Sequence, residues 1–200
     1  MSFVKRTRED ILCSIVDVVH QQGFRATGLK ELLAASQASA GSVYNYFGSK
    51  DELGHALIDY QWKNIRDKVI LPAIAAHNEP IEQLFAVLDA IEKQHLTEPN
   101  CAGCLLGNLI VDLAGADDAF REHLMAVFDE WQGIFTRLLE QGKQRLKTGV
   151  VPEQLAELVF TLMEGTLLMS RLYDQKDQRN RLKRGFRYIR QILKDACLDC

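Results

Sequence analysis

The chain has 200 residues, 47% of them hydrophobic, and a formal net charge of −3. That is enough apolar material for a small head and a larger core, yet no stretch approaches the ~18 uninterrupted apolar residues that a membrane span needs. MSFVKRTRED is not followed by a signal-peptide core, and four prolines without a low-complexity stretch leave little room for a linker, so a compact cytoplasmic protein without internal repeats is expected. The charge is unevenly spread. Residues 1–50 carry six Lys/Arg against four Asp/Glu, whereas residues 51–200 carry eighteen against twenty-three. The basic end, with Lys5, Arg6 and Arg8, suits a polyanion, and the acidic remainder argues against extended nucleic-acid contact there. Because affinity for DNA scales with the phosphates neutralised, so mildly basic a segment needs two copies on one site to bind tightly in physiological salt.

The first predicted helix runs from Thr7 to Gln22, with apolar residues at Ile11, Leu12, Ile15, Val16, Val18 and Val19. Thr7 opens it with Asp10 at the capping-box position, and Gly23 closes it. A second helix starts at Thr27 or Gly28 and carries Leu29, Leu32 and Leu33 on one face; the short turn SQAS separates it from a third. Ser39 caps that third helix, and Ser49, with Glu52 three residues on, caps the next. The helix between them is barely two turns long, too short to be stable alone. Val43 and Phe47, spaced i and i+4, must form its buried side, leaving Ser42, Tyr44, Asn45 and Tyr46 to face outward with hydrogen-bonding groups suited to DNA.

Two short helices joined by about four residues form the helix-turn-helix pattern. The string GFRATGLKELLAASQASAGSVYNYFGSKDEL resembles the DNA-binding domain of the TetR family of bacterial transcriptional regulators over roughly residues 7 to 55. The resemblance implies that Thr27, Tyr46 and Lys50 contact phosphates, that Ser42, Tyr44 and Asn45 approach bases or backbone in the major groove, and that Ser39 belongs to the same surface. Lys50 would sit in the first turn after Ser49, where free backbone amides already favour an anion. Two positions depart from the family's pattern: Gln37 stands where the turn usually has Gly, and Ala40 where a basic residue is common.

Beyond residue 55 only helical spacing is found, in segments near 50 to 76, 80 to 96, 103 to 114, 118 to 147, 152 to 173 and 175 to 198. Breaks fall at Pro72, Asn78 to Pro80, Pro99 to Asn100, Gly115 and Gly149 to Pro152. An all-α fold of about nine helices is expected, with a DNA-binding domain over 1–50 and an effector-binding and dimerisation domain over 51–200. Between Pro152 and Tyr173 the helix is apolar around most of its circumference, as needed when one side meets the core and another a second subunit; Gly165 and Ser170 would allow close approach. By the resemblance, the middle helices enclose a ligand pocket and the last two pair with a partner copy in a four-helix bundle. The implied partners are double-stranded operator DNA, a small effector and a second copy of the chain.

Cys101 and Cys104 lie in PNCAGCLLGNLIVDL. A cysteine at a helix N-terminus loses its proton more easily and becomes a better nucleophile. GCLLGNLIVDL resembles the Gly-Cys-Leu element of a branch of the family responding to reactive electrophiles, hypochlorite or small unsaturated acids. That resemblance implies Cys104 as sensor and Cys101 as a possible resolving thiol. Cys104 as a small buried hydrophobe is the competing reading. A second CxxC, Cys197 to Cys200, allows a four-cysteine zinc site on paper, although neither metal nor cofactor is expected; structural disulfides are disfavoured in a reducing cytoplasm, and Cys13 is read as packing.

Trp62, Asn108, Phe128, Trp131, Phe135, Glu164 and Met169 are expected near a pocket with Cys104, although amphipathic spacing does not separate pocket lining from ordinary core. An enzyme is not expected: no nucleotide-binding glycine loop, HExxH or serine elbow occurs, and no βαβ pattern surrounds the CxxC. A thiol redox protein remains the alternative, and a protein-only helical adaptor leaves YNYFGSK unexplained.

Overall fold

The computed structural model describes residues 6–97 and 102–198. Its helices are α1 (Arg8–Gln22), α2 (Leu29–Ser36), α3 (Ala40–Phe47), α4 (Lys50–Ile65), α5 (Leu71–Ala75), α6 (Pro80–Thr97), α7 (Leu105–Leu109), α8 (Asp118–Gln141), α9 (Pro152–Ser170) and α10 (Gln175–Ala196). A π turn over Arg66–Ile70 joins α4 to α5, and a second, over Ile110–Ala114, prolongs α7. With α4 and α5 counted as one rod, nine helical rods are described, as expected. Pro72 does not break that rod, because it falls in the first turn after the π turn, where the ladder has already been re-spaced. No strand occurs among the described residues beyond an isolated bridge between Leu146 and Cys197.

Local chemistry fixes the first helices. Asp10 N–H donates to Thr7 Oγ1 (3.1 Å) and Thr7 N–H to Asp10 Oδ2 (2.9 Å), so the α1 capping box is complete. The backbone bond from Thr7, followed by its side-chain bond, holds the Asp10 carboxyl below its ordinary value. Gln37 ends α2 in the left-handed region at φ 52°, which explains why glycine is usual there; Arg6 donates to its side-chain oxygen at 2.9 Å. Ser39 caps α3 by accepting from Ser42 N–H (3.1 Å). Ser49 accepts from Glu52 N–H (3.1 Å), while its own N–H donates to Phe47 O rather than completing a capping box.

The described chain falls into two compact units, drawn differently from a cut at residue 50: one holds the residues up to Lys63 with Leu105–Val127, the other Asn64–Cys104 with the residues from Phe128 onward. In the first, Leu105–Val127 joins the head because its side chains find partners there. Phe120 meets Phe24 edge-on at 6.2 Å and stacks on His55 at 4.2 Å. His123 lies 2.9 Å from His55, Nδ1 to Nδ1, and 2.8 Å from Asp59. Gly54 makes this possible, since a Cβ at that position would come within 2.8 Å of both phenyl rings.

In the second unit, Ile81, Leu84, Val87, Leu88 and Ile91 of α6, Leu155, Val159, Met163 and Leu167 of α9, and Leu182, Phe186, Ile189 and Leu193 of α10 are buried. Arg190 ties α10 to α6 through Asp89 (2.8 Å) and Glu92 (2.7 Å). The close approach of α9 and α10 is made by Gly185 against Thr166. Gly165 is exposed instead, and Ser170 is buried with its hydroxyl bonded to Leu167 O (2.7 Å).

Candidate functional site

Recognition-helix geometry follows from which residues α3 buries. Val43 and Phe47 are 4% and 2% exposed, whereas Tyr44 and Tyr46 are 49% and 42% exposed. Asn45 is exposed and Ser42 half-buried, its hydroxyl 3.0 Å from that of Ser39. The outward face is thus two phenols and an amide on a rigidly capped helix. Thr27 differs from this pattern: it is fully buried, and both its N–H (3.2 Å) and its hydroxyl (2.6 Å) donate to Gly23 O. Its donors are spent on locking the turn before α2.

Lys50 is half-buried at the start of α4. Its Nζ donates to Arg25 O (3.2 Å) and sits 5.1 Å from the centroid of the Phe24 ring. An ammonium has three donors, so this leaves capacity for a phosphate oxygen. A cavity of about 260 Å³ opens beside it, lined by Arg25, Asp51, Asp117 and Phe120 among others. Asp112, in the second π turn, accepts from Arg25 N–H (3.0 Å). This tie across 87 positions escaped the sequence reading, since no local pattern marks a lone aspartate as the partner of a distant amide.

The second unit contains the cysteine site. Cys104 is 4% exposed and immediately precedes α7. Its thiol donates a hydrogen bond to the Glu164 carboxyl of α9, and the charge of His95 from α6, itself 7% exposed, acts on the same carboxyl. Burial pushes Glu164 up to about 7, against the lowering effects of the Cys104 hydrogen bond and His95. Glu164 as a whole residue is half-buried, but its Oε1 is enclosed and has no hydrogen-bond partner among the described residues. Helical spacing had no means of singling out His95, which sits on the apolar face of α6 beside Ile91.

The remaining pocket candidates divide. Trp131 and Phe135 are buried and, with half-buried Phe128, surround Phe160 at centroid distances of 5.4, 5.6 and 5.9 Å. Trp62 is buried and Asn108 half-buried, both in the first unit. Met169 is 54% exposed on the outer face of α9, where it lines a groove with Thr166, Arg181 and Tyr188. Cys13 is exposed rather than packed. Cys101 and Cys200 lie outside the described residues, and no group of three or more potential ligands is arranged to hold a metal among the residues that are described.

A short capped helix presenting polar side chains, preceded by a second short helix and carried on an all-helical body, defines a helix-turn-helix DNA-binding protein. Two family models agree with that class. "Bacterial regulatory proteins, tetR family" matches residues 11–57, and "Tetracyclin repressor-like, C-terminal domain" matches residues 80–186. The chain belongs to the TetR family of transcriptional regulators. It is 28% identical over 169 residues to an uncharacterised HTH-type transcriptional regulator of Lactococcus lactis, covering 83% of this chain and 84% of that one. It is 23% identical over 168 residues to the HTH-type transcriptional repressor NemR of Escherichia coli, covering 83% and 84%. The fold matches the reduced form of NemR with a TM-score of 0.79 at 20% identity, over 92% of this chain and 95% of that chain. It also matches a cysteine mutant of CifR in complex with double-strand operator DNA, with a TM-score of 0.75 at 19% identity, over 92% and 98%. No helix among the described residues is long and apolar enough to cross a membrane.

Proposed function

We propose that the protein is a homodimeric repressor that leaves its operator when a small or thiol-reactive effector is captured at Cys104. Tyr44, Asn45 and Ser42 read the major groove, Tyr46 and Lys50 hold phosphates, and Thr27 supports them by fixing the turn in front of α2. A symmetric pair of heads doubles the phosphate contacts that one weakly basic head supplies. The observation carrying the sensing part is the placement of Cys104. It sits one residue before α7, and the helical segment that begins there ends in the π turn holding Asp112, whose carboxylate fixes the Arg25 amide of the head. A displacement at Cys104 is thereby passed along a continuous piece of backbone to the turn that positions α2 and α3. Two similar proteins support this reading: NemR is a transcriptional repressor whose structure is known in a reduced form, and a cysteine mutant of CifR was crystallised with operator DNA.

Cys104→Ser is expected to bind operator DNA with unchanged affinity and to remain bound after treatment with N-ethylmaleimide, which releases the wild-type protein. Gel-shift titration before and after treatment checks this. Equal release of both proteins removes Cys104 from the sensing role.

A further inference from the structure

Cys104 is in contact with one acidic side chain, and the surroundings of that side chain are unusual. The Glu164 carboxyl accepts the thiol hydrogen bond, its Oε1 is enclosed without a partner of its own among the described residues, and the titratable groups acting on it are Cys104 and the His95 imidazole. A buried carboxyl oxygen left without a donor is costly, so it marks a place where something else is meant to donate or to accept a proton. We propose that Glu164 is the proton carrier of the Cys104 site, taking the thiol proton as the sulfur adds to an uncharged α,β-unsaturated carbonyl compound and then returning it to the adduct.

The step balances without an oxidant or a metal. The S–H bond breaks and its proton passes to the Glu164 carboxylate. The sulfur lone pair forms a C–S bond at the β-carbon, the C=C π pair moves toward the carbonyl, and the α-carbon then takes the proton back from the Glu164 carboxylic acid. One group serves as base and then as acid, which is effective when it titrates near neutrality, and burial places Glu164 at about 7. Its negative charge also selects against electrophiles carrying a carboxylate of their own. The inference rests on the reading of Cys104 as the effector-reactive thiol, and it is tested separately from operator release.

The test is the rate of N-ethylmaleimide addition at Cys104 across pH, resolved by peptide mass spectrometry so that exposed Cys13 serves as the internal reference. In the wild-type protein the Cys104 rate falls as pH drops through about 7 and Glu164 takes up its proton. In Glu164→Gln the rate at neutral pH falls by about ten-fold or more and this inflection is lost, while Glu164→Asp keeps it. A carboxylate that merely repels a thiolate would do the opposite, so a Gln variant reacting as fast as wild type or faster overturns the proposal. Should the Gln variant fail to fold, the wild-type profile decides alone: a Cys104-to-Cys13 rate ratio that stays constant through neutrality overturns it. Adduct formation at Cys104 without operator release would contradict the sensing role and leave the proton role standing.

Discussion

Phe47→Ala is expected to destabilise the head by about 3–5 kcal/mol and to abolish specific DNA binding, because a buried phenyl is removed from the only side of α3 that holds it. The ring is 2% exposed, and the Arg8 guanidinium lies over it at 5.3 Å. Eight residues form a helix only when packed, so the outward positions of Tyr44, Asn45 and Tyr46 depend on Val43 and Phe47. Urea unfolding with operator titration checks the result. The control is Asn45→Ala: an exposed residue whose loss should change stability by no more than about 0.5 kcal/mol while weakening specific binding. If Phe47→Ala is as stable as wild type, the assignment of the inner face of α3 is wrong.

The second large effect concerns assembly. Leu168 and Met169 on α9 and Tyr188 on α10 are 43%, 54% and 59% exposed, with exposed Leu158 on the same helix as the first two. Replacing Leu168 and Met169 together with Asp adds two charges to a surface that tolerates them in an isolated subunit but not when a partner covers it. The expected outcome is a folded monomer in sedimentation, with operator affinity reduced about 100-fold or more through loss of the second head. A variant that sediments as a dimer would place the subunit contact elsewhere.

The sequence showed most of what is decided by near neighbours. Thr7, Ser39 and Ser49 cap the helices expected of them, and the i, i+4 spacing of Val43 and Phe47 assigned both faces of α3. Helix limits set by distant contacts were not legible. The helix expected over 118 to 147 stops at Gln141, where Gly142 lies against Ile81 and the following turn is held by the bridge of Leu146 to Cys197. Neither π turn leaves a trace in apolar periodicity. The compact units are not divided at residue 50 for the same reason, since Asp112, Phe120 and His123 bind head residues that no local pattern pairs with them.

The exposure of Cys13 and of Met169 escaped the sequence for a different reason. Ile11, Leu12, Ile15 and Val19 define the buried side of α1, and Cys13 falls opposite it, so spacing pointed outward while residue type suggested packing. Met169 sits on a helix apolar around most of its circumference, where spacing leaves the core side and the outer side hard to separate. At the cysteine site Cys104 and Glu164 were both singled out, but their hydrogen bond and the nearness of His95 emerge only when α6 and α9 are brought to the residue preceding α7.

Selection of duplexes from a randomised pool by the purified protein tests the account most directly. A two-fold symmetric consensus, lost on N-ethylmaleimide treatment of the wild-type protein and retained for Cys104→Ser, is the predicted result. No enrichment of any sequence over the starting pool would contradict a specific DNA-binding regulator built on α3.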